Sequence, residues 1–392
     1  MSTATRAPAR VVVVGAGLAG GRTCTALRSA GFDGEIILVG TERHEPYDRP
    51  PLSKAVLASG IDPTLGLRLA DVGVELRLGV SATDLDLAAR TIGTDAGVLR
   101  YDVLVLATGA APIRLPGSGP QLTLRTLDDA RRLRAGLLPG ARVVLIGAGW
   151  IGAEVATAAL AAGCEVTCLE GAAAPLAGPL GEQVGSLFLP WWSDVDLRLG
   201  VRVDRIDPDA VILDEGERIP ADLVVTGVGV RPQTDWLEKA GLLVDAGGVA
   251  VDAERRTSDP HVYAVGDLAA RWSDRIDGRV HSGHWDEAAN GPAVVAASIM
   301  GTSRSVDEVP YFWSDQFGRK IQYVGQHRRT DRVVIRRKAD SDRWGAAWLD
   351  GDGRITAHLS VSFPKSMVQA RAAIAQGRVV DADRCRDLAE PL

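Results

Sequence analysis

The pattern Gly-x-Gly-x-x-Gly occurs twice in the sequence and limits the folds open to the chain more than any other feature. It stands first in VVVVGAGLAGG, from Val11 to Gly21, and again in VVLIGAGWIGAE, from Val143 to Glu154. In both places an apolar run precedes the glycines, and a helical segment and a second apolar run follow them. This order predicts a strand, a tight turn, a helix and a parallel second strand.

Each glycine of the pattern has its own physical task. The first permits the turn, the second lets the backbone approach a pyrophosphate, and the third lets the helix pack closely on the strand. The helix N-terminus then attracts the phosphate charge. An acid at the tip of the second strand binds ribose hydroxyls and disfavours a 2′-phosphate; in the second copy this acid is Glu170. In the first copy Thr41 takes that place, and Glu42, one residue later, is either the ribose ligand or a solvated carboxylate.

A longer internal repeat surrounds the two glycine patterns. Each copy closes with a buried strand and a glycine-containing loop, YDVLVLATGAAP in the first and ADLVVTGVGVRP in the second. From about residue 307 the chain changes to alternating strand-like segments without a nucleotide motif. We therefore predict an α/β protein with two Rossmann-like dinucleotide-binding domains and a C-terminal α+β domain. The predicted boundaries are 1–112 with 240–306 for the first domain, 113–239 for the second and 307–392 for the third.

Composition and charge exclude several classes of function. The formal net charge of -6 argues against nonspecific nucleic-acid binding, which needs a basic surface. No apolar run approaches the roughly 20 residues that a membrane-spanning helix needs. The first ten residues, MSTATRAPAR, contain no apolar signal region, so we expect a cytoplasmic protein. The four cysteines show no C-x-x-C spacing and are expected to be buried and reduced; no metal site is expected.

Two further segments carry candidate functional residues. In EPYDRPPLSKAVL, from Glu45 to Leu57, three prolines make a stiff connection after which Ser53 could cap a short helix. Arg49 and Lys54 of this segment are either functional cations or solvated surface charges. In HVYAVGDLAARW, Asp267 follows a buried strand, where it either reaches a cofactor hydroxyl or caps a following helix.

Taken together, these motifs resemble one family over essentially the whole chain. The sequence is similar to the FAD-dependent pyridine-nucleotide reductases of the glutathione-reductase fold, and within them to the NADH:ferredoxin reductases that serve monooxygenases and ring-hydroxylating dioxygenases. The resemblance rests on GAGLAG, EPYDRPPLSK, LATGA, GAGWIGAEVA, TGVGVRP, YAVGDL and VPYFWSDQFG. It implies that the first dinucleotide-binding domain holds FAD and the second holds NADH.

The resemblance also implies roles for individual residues. For FAD, the residues expected to contact the pyrophosphate, the adenosine, the ribityl chain or the flavin are Gly15, Gly17, Leu18, Glu42, Arg49, Lys54, Ala82, Arg125, Asp267 and Trp285. For NADH, the expected residues are Gly147, Gly149, Ile151, Gly152, Glu170 and Gly229.

Three residues are expected to act in catalysis by the same resemblance. Lys54 would pair with Glu154 near the flavin N5 atom, and Trp313 would lie near the isoalloxazine and the nicotinamide. This sequence departs from the family at Thr41, which replaces the usual acid at the adenosine ribose of FAD. Trp191 and Trp192 carry no functional assignment.

The expected reaction is hydride transfer from NADH to FAD, followed by one-electron transfer to a two-iron, two-sulfur ferredoxin. EPYDRPPLSK contains no cysteine, which disfavours a disulfide reductase or a cysteine-dependent NADH oxidase. Arg319, Lys320, Arg328, Arg329, Arg336 and Arg337 either form a basic docking face for an acidic ferredoxin or are balanced surface charges. The alternatives are a rubredoxin reductase and a slow-turnover FAD- and NADH-binding redox signalling protein.

Overall fold

The structure is a computed structural model that describes residues 8–281, 283–302, 307–337, 343–388 and 390–392. The chain divides into two compact units. The first unit contains Met1–Arg49, Pro63–Ala111 and Val230–Glu308. The second contains Pro50–Asp62, Pro112–Gly229 and Val309–Leu392.

A five-stranded parallel sheet forms the centre of the first unit, and it confirms the first Rossmann-like fold. In spatial order its strands are Val262–Ala264, Val103–Leu106, Arg10–Val14, Glu35–Gly40 and Val74–Leu78. The inner strands of this sheet are apolar on both faces and both faces are covered, as is typical of a parallel sheet, whereas the edge strand Val74–Leu78 exposes Glu75. The helices Leu18–Ser29 and Trp285–Ile299 pack together in this unit.

Smaller elements complete the first unit. One antiparallel sheet consists of Ala82–Asp86, Thr91–Thr94 and Gly97–Arg100, and a second small sheet consists of Val244–Asp245, Gly248–Val251, Ala269–Ser273 and Gly278–Val280. The remaining elements are the helix Asp235–Lys239, the 3-10 turns Leu69–Val72 and Gly266–Leu268, and the short strands Ala110–Pro112 and Val230–Pro232.

The second unit contains the second Rossmann-like sheet and the C-terminal α+β region. The parallel sheet has the order Asp196–Leu199, Glu165–Glu170, Arg142–Ile146 and Leu223–Thr226. Its larger helices are Leu127–Gly136 and Trp150–Ala161. The smaller elements are the antiparallel strands Val203–Asp207, Ala210–Leu213 and Arg218–Pro220, the short helices Ala55–Ser59, Ala177–Leu180 and Glu182–Gly185, and the 3-10 turns Pro50–Ser53 and Ser186–Trp192.

The C-terminal region of the second unit is an antiparallel sheet with one helix, as the alternating sequence pattern predicts. The strand order is Tyr311–Gln316, Arg319–Gly325, Ile355–Val361, Trp344–Leu349 and Arg332–Arg337. The helix Pro364–Ala375 packs against this sheet, and a 3-10 turn, Arg384–Arg386, follows near the C-terminus. The division into three domains at the boundaries predicted above stays a prediction.

An aromatic core joins the C-terminal sheet to the LPWW segment within the second unit. Phe188 is fully buried and makes edge-to-face contacts with Trp191 and Trp344. Trp192, also buried, makes an edge-to-face contact with Phe317. Such pairs contribute about 1 kcal/mol beyond their burial. The two tryptophans without a functional assignment therefore have a packing role.

One local expectation from the sequence is wrong, and two helix-cap interpretations left open there are excluded. The segment from Glu182 to Trp191, which the sequence predicts as one helix after a loop, is one short α-helical segment followed by a 3-10 turn that contains Pro190. A strand, Ala269–Ser273, follows Asp267, so this carboxylate does not cap a helix. Ser53 does not cap the helix Ala55–Ser59, whose N-cap is Lys54. The Ser53 hydroxyl donates to Glu154 instead.

Arg336 does not belong to a basic surface, contrary to one sequence-based interpretation. Its side chain is fully buried and its guanidinium donates to the carbonyl oxygens of Cys385, Asp387 and Glu390. It also donates to the hydroxyl of Ser366. Burial lowers the pKa of Arg336 from its ordinary value. The side chain holds the C-terminal segment to the sheet.

Candidate functional site

The first glycine turn has the geometry of a phosphate cradle. Gly15 has φ +112°, a left-handed conformation that favours glycine, and a Cβ there would overlap the carbonyl oxygen of Ala107. A Cβ at Gly20 would overlap the carbonyl oxygen of Gly15. At Gly17 the nearest atom to a Cβ would be the Arg49 guanidinium at 3.8 Å, so this position is open. Gly15 and Gly20 are thus needed for close packing, and Gly17 leaves room for a ligand.

The second glycine turn repeats this arrangement. Gly147 has φ +105°, and a Cβ there would lie 2.6 Å from the carbonyl oxygen of Gly227. A Cβ at Gly152 would overlap the carbonyl oxygen of Gly147. Gly149 is open, with the nearest atom to a Cβ at 3.9 Å. Both turns therefore fit a dinucleotide pyrophosphate next to the start of a helix.

A cavity of about 350 Å³ adjoins the first glycine turn within the first unit. Five residues expected at FAD line it, namely Gly15, Gly17, Glu42, Arg49 and Ala82. Thr41 lines it as well, so the choice between Thr41 and Glu42 as ribose ligand stays open. Leu18 is buried and begins the helix Leu18–Ser29, which follows the turn. Gln233 and Trp236, which the sequence reasoning missed, also line the cavity.

The acid of the second copy is held by backbone amides. Glu170 ends the strand Glu165–Glu170 and accepts hydrogen bonds from the amides of Ala148 at 2.7 Å and Ala172 at 2.8 Å. These amides use two of about four acceptor positions of the carboxylate, so others stay open for ribose hydroxyls. The Ala148 amide belongs to the glycine turn, which places the acid and the pyrophosphate cradle side by side.

The acid of the first copy is held by side chains instead. Glu42 accepts a hydrogen bond from the Tyr47 hydroxyl at 2.6 Å and pairs with the Arg49 guanidinium at 3.4 Å. Glu42 therefore has a cation among its partners, whereas the amides that hold Glu170 carry no formal charge.

The expected pair of Lys54 and Glu154 is present in the second unit. The Lys54 Nζ atom donates to Glu154 Oε2 at 2.8 Å and to the Pro50 carbonyl oxygen at 3.3 Å. Glu154 is 4% exposed, so it is not a surface charge. A buried carboxylate needs several donors to remain charged at low cost.

Three further donors complete the shell around Glu154. The Ser53 hydroxyl bonds to Oε2 next to Lys54. The Ser314 hydroxyl at 2.5 Å and the Asp315 amide at 3.2 Å donate to Oε1. The sequence reasoning considered Ser53 only as a helix cap and missed Ser314, although each is directly adjacent to a residue it selected, Lys54 or Trp313.

The remaining residues expected at FAD occupy defined positions. Asp267 lies in the 3-10 turn Gly266–Leu268, and its carbonyl oxygen is 2.8 Å from Nε2 of His281. The Trp285 indole donates to Asp48 at 2.7 Å, within the first unit. Arg125, in the second unit, precedes the N-cap Thr126, and its amide donates to Asp129 at 3.2 Å.

The other residues expected at NADH or in catalysis lie in the second unit. Ile151 is 38% exposed in the first turn of the helix Trp150–Ala161. Gly229 has φ +116°, and its carbonyl oxygen accepts from the Ile113 amide at 3.0 Å. Trp313 is half-buried on the strand Tyr311–Gln316, and its ring stacks on Tyr311 with 6.0 Å between centroids. The functional assignments of all these residues stay predictions.

The cysteines do not form a redox centre. All four lie within the described residues, are buried and are free thiols, as the sequence predicts. Burial raises the pKa of Cys24, in the first helix, to about 12, so this thiol stays protonated at neutral pH.

Neither a metal site nor a membrane-spanning helix is found among the described residues. They contain no group of three or more side chains suited to holding a metal ion. Among the helices of the described chain, none has both the length and the apolar character required to cross a membrane.

Comparison with known proteins identifies the class to which this fold and site belong. Residues 9–292 match the family described as pyridine nucleotide-disulphide oxidoreductase, and residues 311–392 match the family described as reductase C-terminal. The chain belongs to the pyridine nucleotide-disulphide oxidoreductase family. It is a flavin-dependent oxidoreductase whose cofactors are FAD and NADH, as predicted from the sequence.

Individual relatives resemble the chain over nearly its full length. The ferredoxin reductase component of a chlorobenzene dioxygenase from Cupriavidus sp. (strain PS12) is 38% identical, over 96% of this chain and 97% of the relative. Fdr9, known from a crystal structure, is 52% identical in sequence and matches with a TM-score of 0.94, over 98% of this chain and 99% of the other. A covalent putidaredoxin reductase-putidaredoxin complex matches with 33% identity and a TM-score of 0.91, over 98% and 97% of the two chains.

The open glycine and the packed glycine of the second turn predict different effects of alanine substitution. Gly149→Ala should leave the free energy of unfolding almost unchanged, because a Cβ there meets no atom closer than 3.9 Å. The same substitution should weaken NADH binding about tenfold, because the added methyl group blocks the pyrophosphate. Gly152→Ala should destabilise the protein by about 1–3 kcal/mol through overpacking. Urea unfolding and NADH titration of both variants measure this difference. Equal effects of the two variants on stability would contradict it.

The donors around Glu154 predict a large effect of a nearly isosteric substitution. Glu154→Gln should lower the free energy of unfolding by about 2 kcal/mol, because an amide nitrogen then faces donors that need an acceptor. Glu215→Gln, at an exposed turn, is the matched control and should change stability by less than about 0.5 kcal/mol. Urea unfolding monitored by circular dichroism measures both values. Similar values for the two variants would exclude a structural role for the shell around Glu154.

Proposed function

We propose that the chain is an NADH-dependent ferredoxin reductase that passes electrons from NADH through FAD to a two-iron, two-sulfur ferredoxin. In this proposal the ferredoxin serves a haem monooxygenase or a ring-hydroxylating dioxygenase. The observation that carries the proposal is the presence, in one chain, of two glycine turns that each leave the middle glycine open. One turn receives the electron donor and the other the cofactor that accepts its electrons.

The cysteines support a protein acceptor rather than a disulfide. The family name includes disulphide reduction, but a disulfide mechanism needs an accessible thiol pair, and the four thiols of this chain are buried and unpaired.

The names of two relatives also favour a protein acceptor. One is named as the ferredoxin reductase component of a dioxygenase, and the other is a putidaredoxin reductase in a covalent complex with putidaredoxin.

The bound FAD would supply the chemistry, taking a hydride from NADH and releasing electrons one at a time. The protein residues bind and orient. The helix N-termini after the two glycine turns favour the pyrophosphate charges, and Glu170 binds the ribose of NADH. We propose that Lys54 provides a positive charge at the flavin and that Glu154 fixes the direction of its ammonium group. Trp313 is proposed as the aromatic residue beside the flavin.

Docking of the ferredoxin is proposed at the C-terminal sheet of the second unit. Lys320, Arg328, Arg329 and Arg337 are exposed there, whereas Arg336 is excluded by its burial. Clustered positive charge accelerates the association of an acidic partner, and the effect falls with ionic strength. The cytoplasm is the proposed compartment, since free thiols persist there.

The proposed acceptor predicts a ferredoxin-dependent electron flow. With NADH and cytochrome c, the FAD-loaded enzyme should reduce cytochrome c slowly alone and many times faster when a two-iron, two-sulfur ferredoxin is added, because the ferredoxin carries the electrons between them. The added rate should saturate with ferredoxin and fall as salt is raised. Stopped-flow absorbance of the flavin and of cytochrome c measures the two steps separately.

Two other outcomes would contradict this function. Reduction of the flavin by NADH without any acceleration by ferredoxin would favour a redox signalling protein. Acceleration by rubredoxin but not by ferredoxin would identify a rubredoxin reductase.

The backbone-held carboxylate of Glu170 predicts discrimination against NADPH. Glu170→Ser should lower kcat/KM for NADH and raise it for NADPH, changing their ratio about tenfold or more, because the repulsion of a 2′-phosphate is removed. Steady-state kinetics with both nucleotides measures the ratio. Glu42→Ser, the equivalent change in the first copy, should leave the ratio unchanged. A ratio that stays the same in Glu170→Ser would exclude Glu170 as the selecting residue.

A further inference from the structure

Part of the wall of the cavity in the first unit comes from outside the glycine pattern. Gln233 and Trp236 line it, although they follow the first glycine turn by more than 200 residues. Trp236 lies in the short helix Asp235–Lys239, directly before Leu237, which is fully buried. Trp236 is the aromatic residue among the described residues of the cavity wall.

Trp236 belongs to an apolar part of the cavity wall. Trp236 is half-buried and packs against the same hydrophobic core as Val80 and Ala82. All three residues also line the cavity. They therefore belong to an apolar part of the cavity that rests on the core, in contrast to the polar part near Glu42 and Arg49.

The order of the strands indicates which part of a dinucleotide would lie at this apolar end. The strands Arg10–Val14, Glu35–Gly40 and Val74–Leu78 are consecutive neighbours in the parallel sheet. The glycine turn follows the first, Thr41 and Glu42 follow the second, and Val80 and Ala82 follow the third. If a dinucleotide has its pyrophosphate at the first strand end and its ribose at the second, its base continues towards the third. The resemblance likewise places Ala82 at the adenosine of FAD.

We propose that Trp236 is an aromatic wall of the adenine subsite for FAD and sets part of the affinity for the cofactor. An indole face presents a large, flat surface for a purine, and stacking of a base on an aromatic side chain is worth a factor of about ten or more in affinity. Val80 and Ala82 are the apolar residues beside it. This inference rests on the proposed binding of FAD, rather than NADH, at the first glycine turn.

The test uses full-length protein freed of its flavin and three probes, FAD, ADP and FMN. Trp236→Leu should raise the Kd of FAD and of ADP about tenfold, because both contain the adenosine, and leave the Kd of FMN unchanged. Trp236→Phe, which retains a flat ring, should restore most of the affinity. Trp272→Leu is the control, since Trp272 is 37% exposed and bonds to Asp274 outside the cavity. Isothermal titration calorimetry measures each Kd, and thermal unfolding shows that each variant is folded.

The outcomes separate this inference from the function proposed above. Equal ADP affinity in Trp236→Leu and the unsubstituted protein would overturn the role of Trp236 but leave the placement of FAD intact. Failure of the unsubstituted protein to bind ADP, with NADH binding retained, would overturn the placement of FAD at the first turn and the subsite with it. If Trp236→Leu does not fold, Trp236→Met, which keeps a large apolar side chain without a ring, provides the same comparison with Trp236→Phe.

Discussion

The arrangement of the second unit depends on one buried carboxylate, that of Glu154. Lys54 and Ser53 reach it from the turn after the proline-rich segment, and Ser314 and Asp315 reach it from the first strand of the C-terminal sheet. Glu154 itself lies on the helix that begins at the second glycine turn. An ionised carboxylate is costly to bury unless its acceptor positions are filled. Three separate segments must therefore converge at one point, which fixes the C-terminal sheet relative to the nucleotide-binding helix within this unit.

The aromatic core around Phe188 has the same effect by a different force. Polar contacts at Glu154 specify direction, because hydrogen bonds need defined geometry, whereas the packing of Trp191, Trp192 and Trp344 supplies non-directional burial. The C-terminal sheet is thus joined to the nucleotide-binding part of the unit at two places. A substitution in the C-terminal region can consequently affect Lys54 without touching it, through Ser314 and Glu154.

The sequence predicted the features that depend on local backbone geometry. The roles of Gly15 and Gly147 follow from the turn alone, and the structure shows the overlap that any side chain would cause there. The pairing of Lys54 with Glu154, 100 residues apart, came from the resemblance, because no local rule brings such residues together. Arg336 was misassigned since strand alternation does not reveal which of two adjacent arginines faces the interior. Trp236 was missed because its place in the cavity depends on a chain return that no motif marks.

The two copies of the dinucleotide fold share one backbone design but hold their acids differently. Each copy has an acid at or just after the end of the second strand, yet the partners of the two acids differ in kind. Arg49 places a positive charge at Glu42, which lessens the negative potential around the first ribose position. Glu170 has backbone amides as partners, which hold its orientation without placing a second charged group beside it. On the proposal that the first copy binds FAD and the second binds NADH, the difference in selectivity would come from the groups beside each acid, because the glycine turn has the same geometry in both copies.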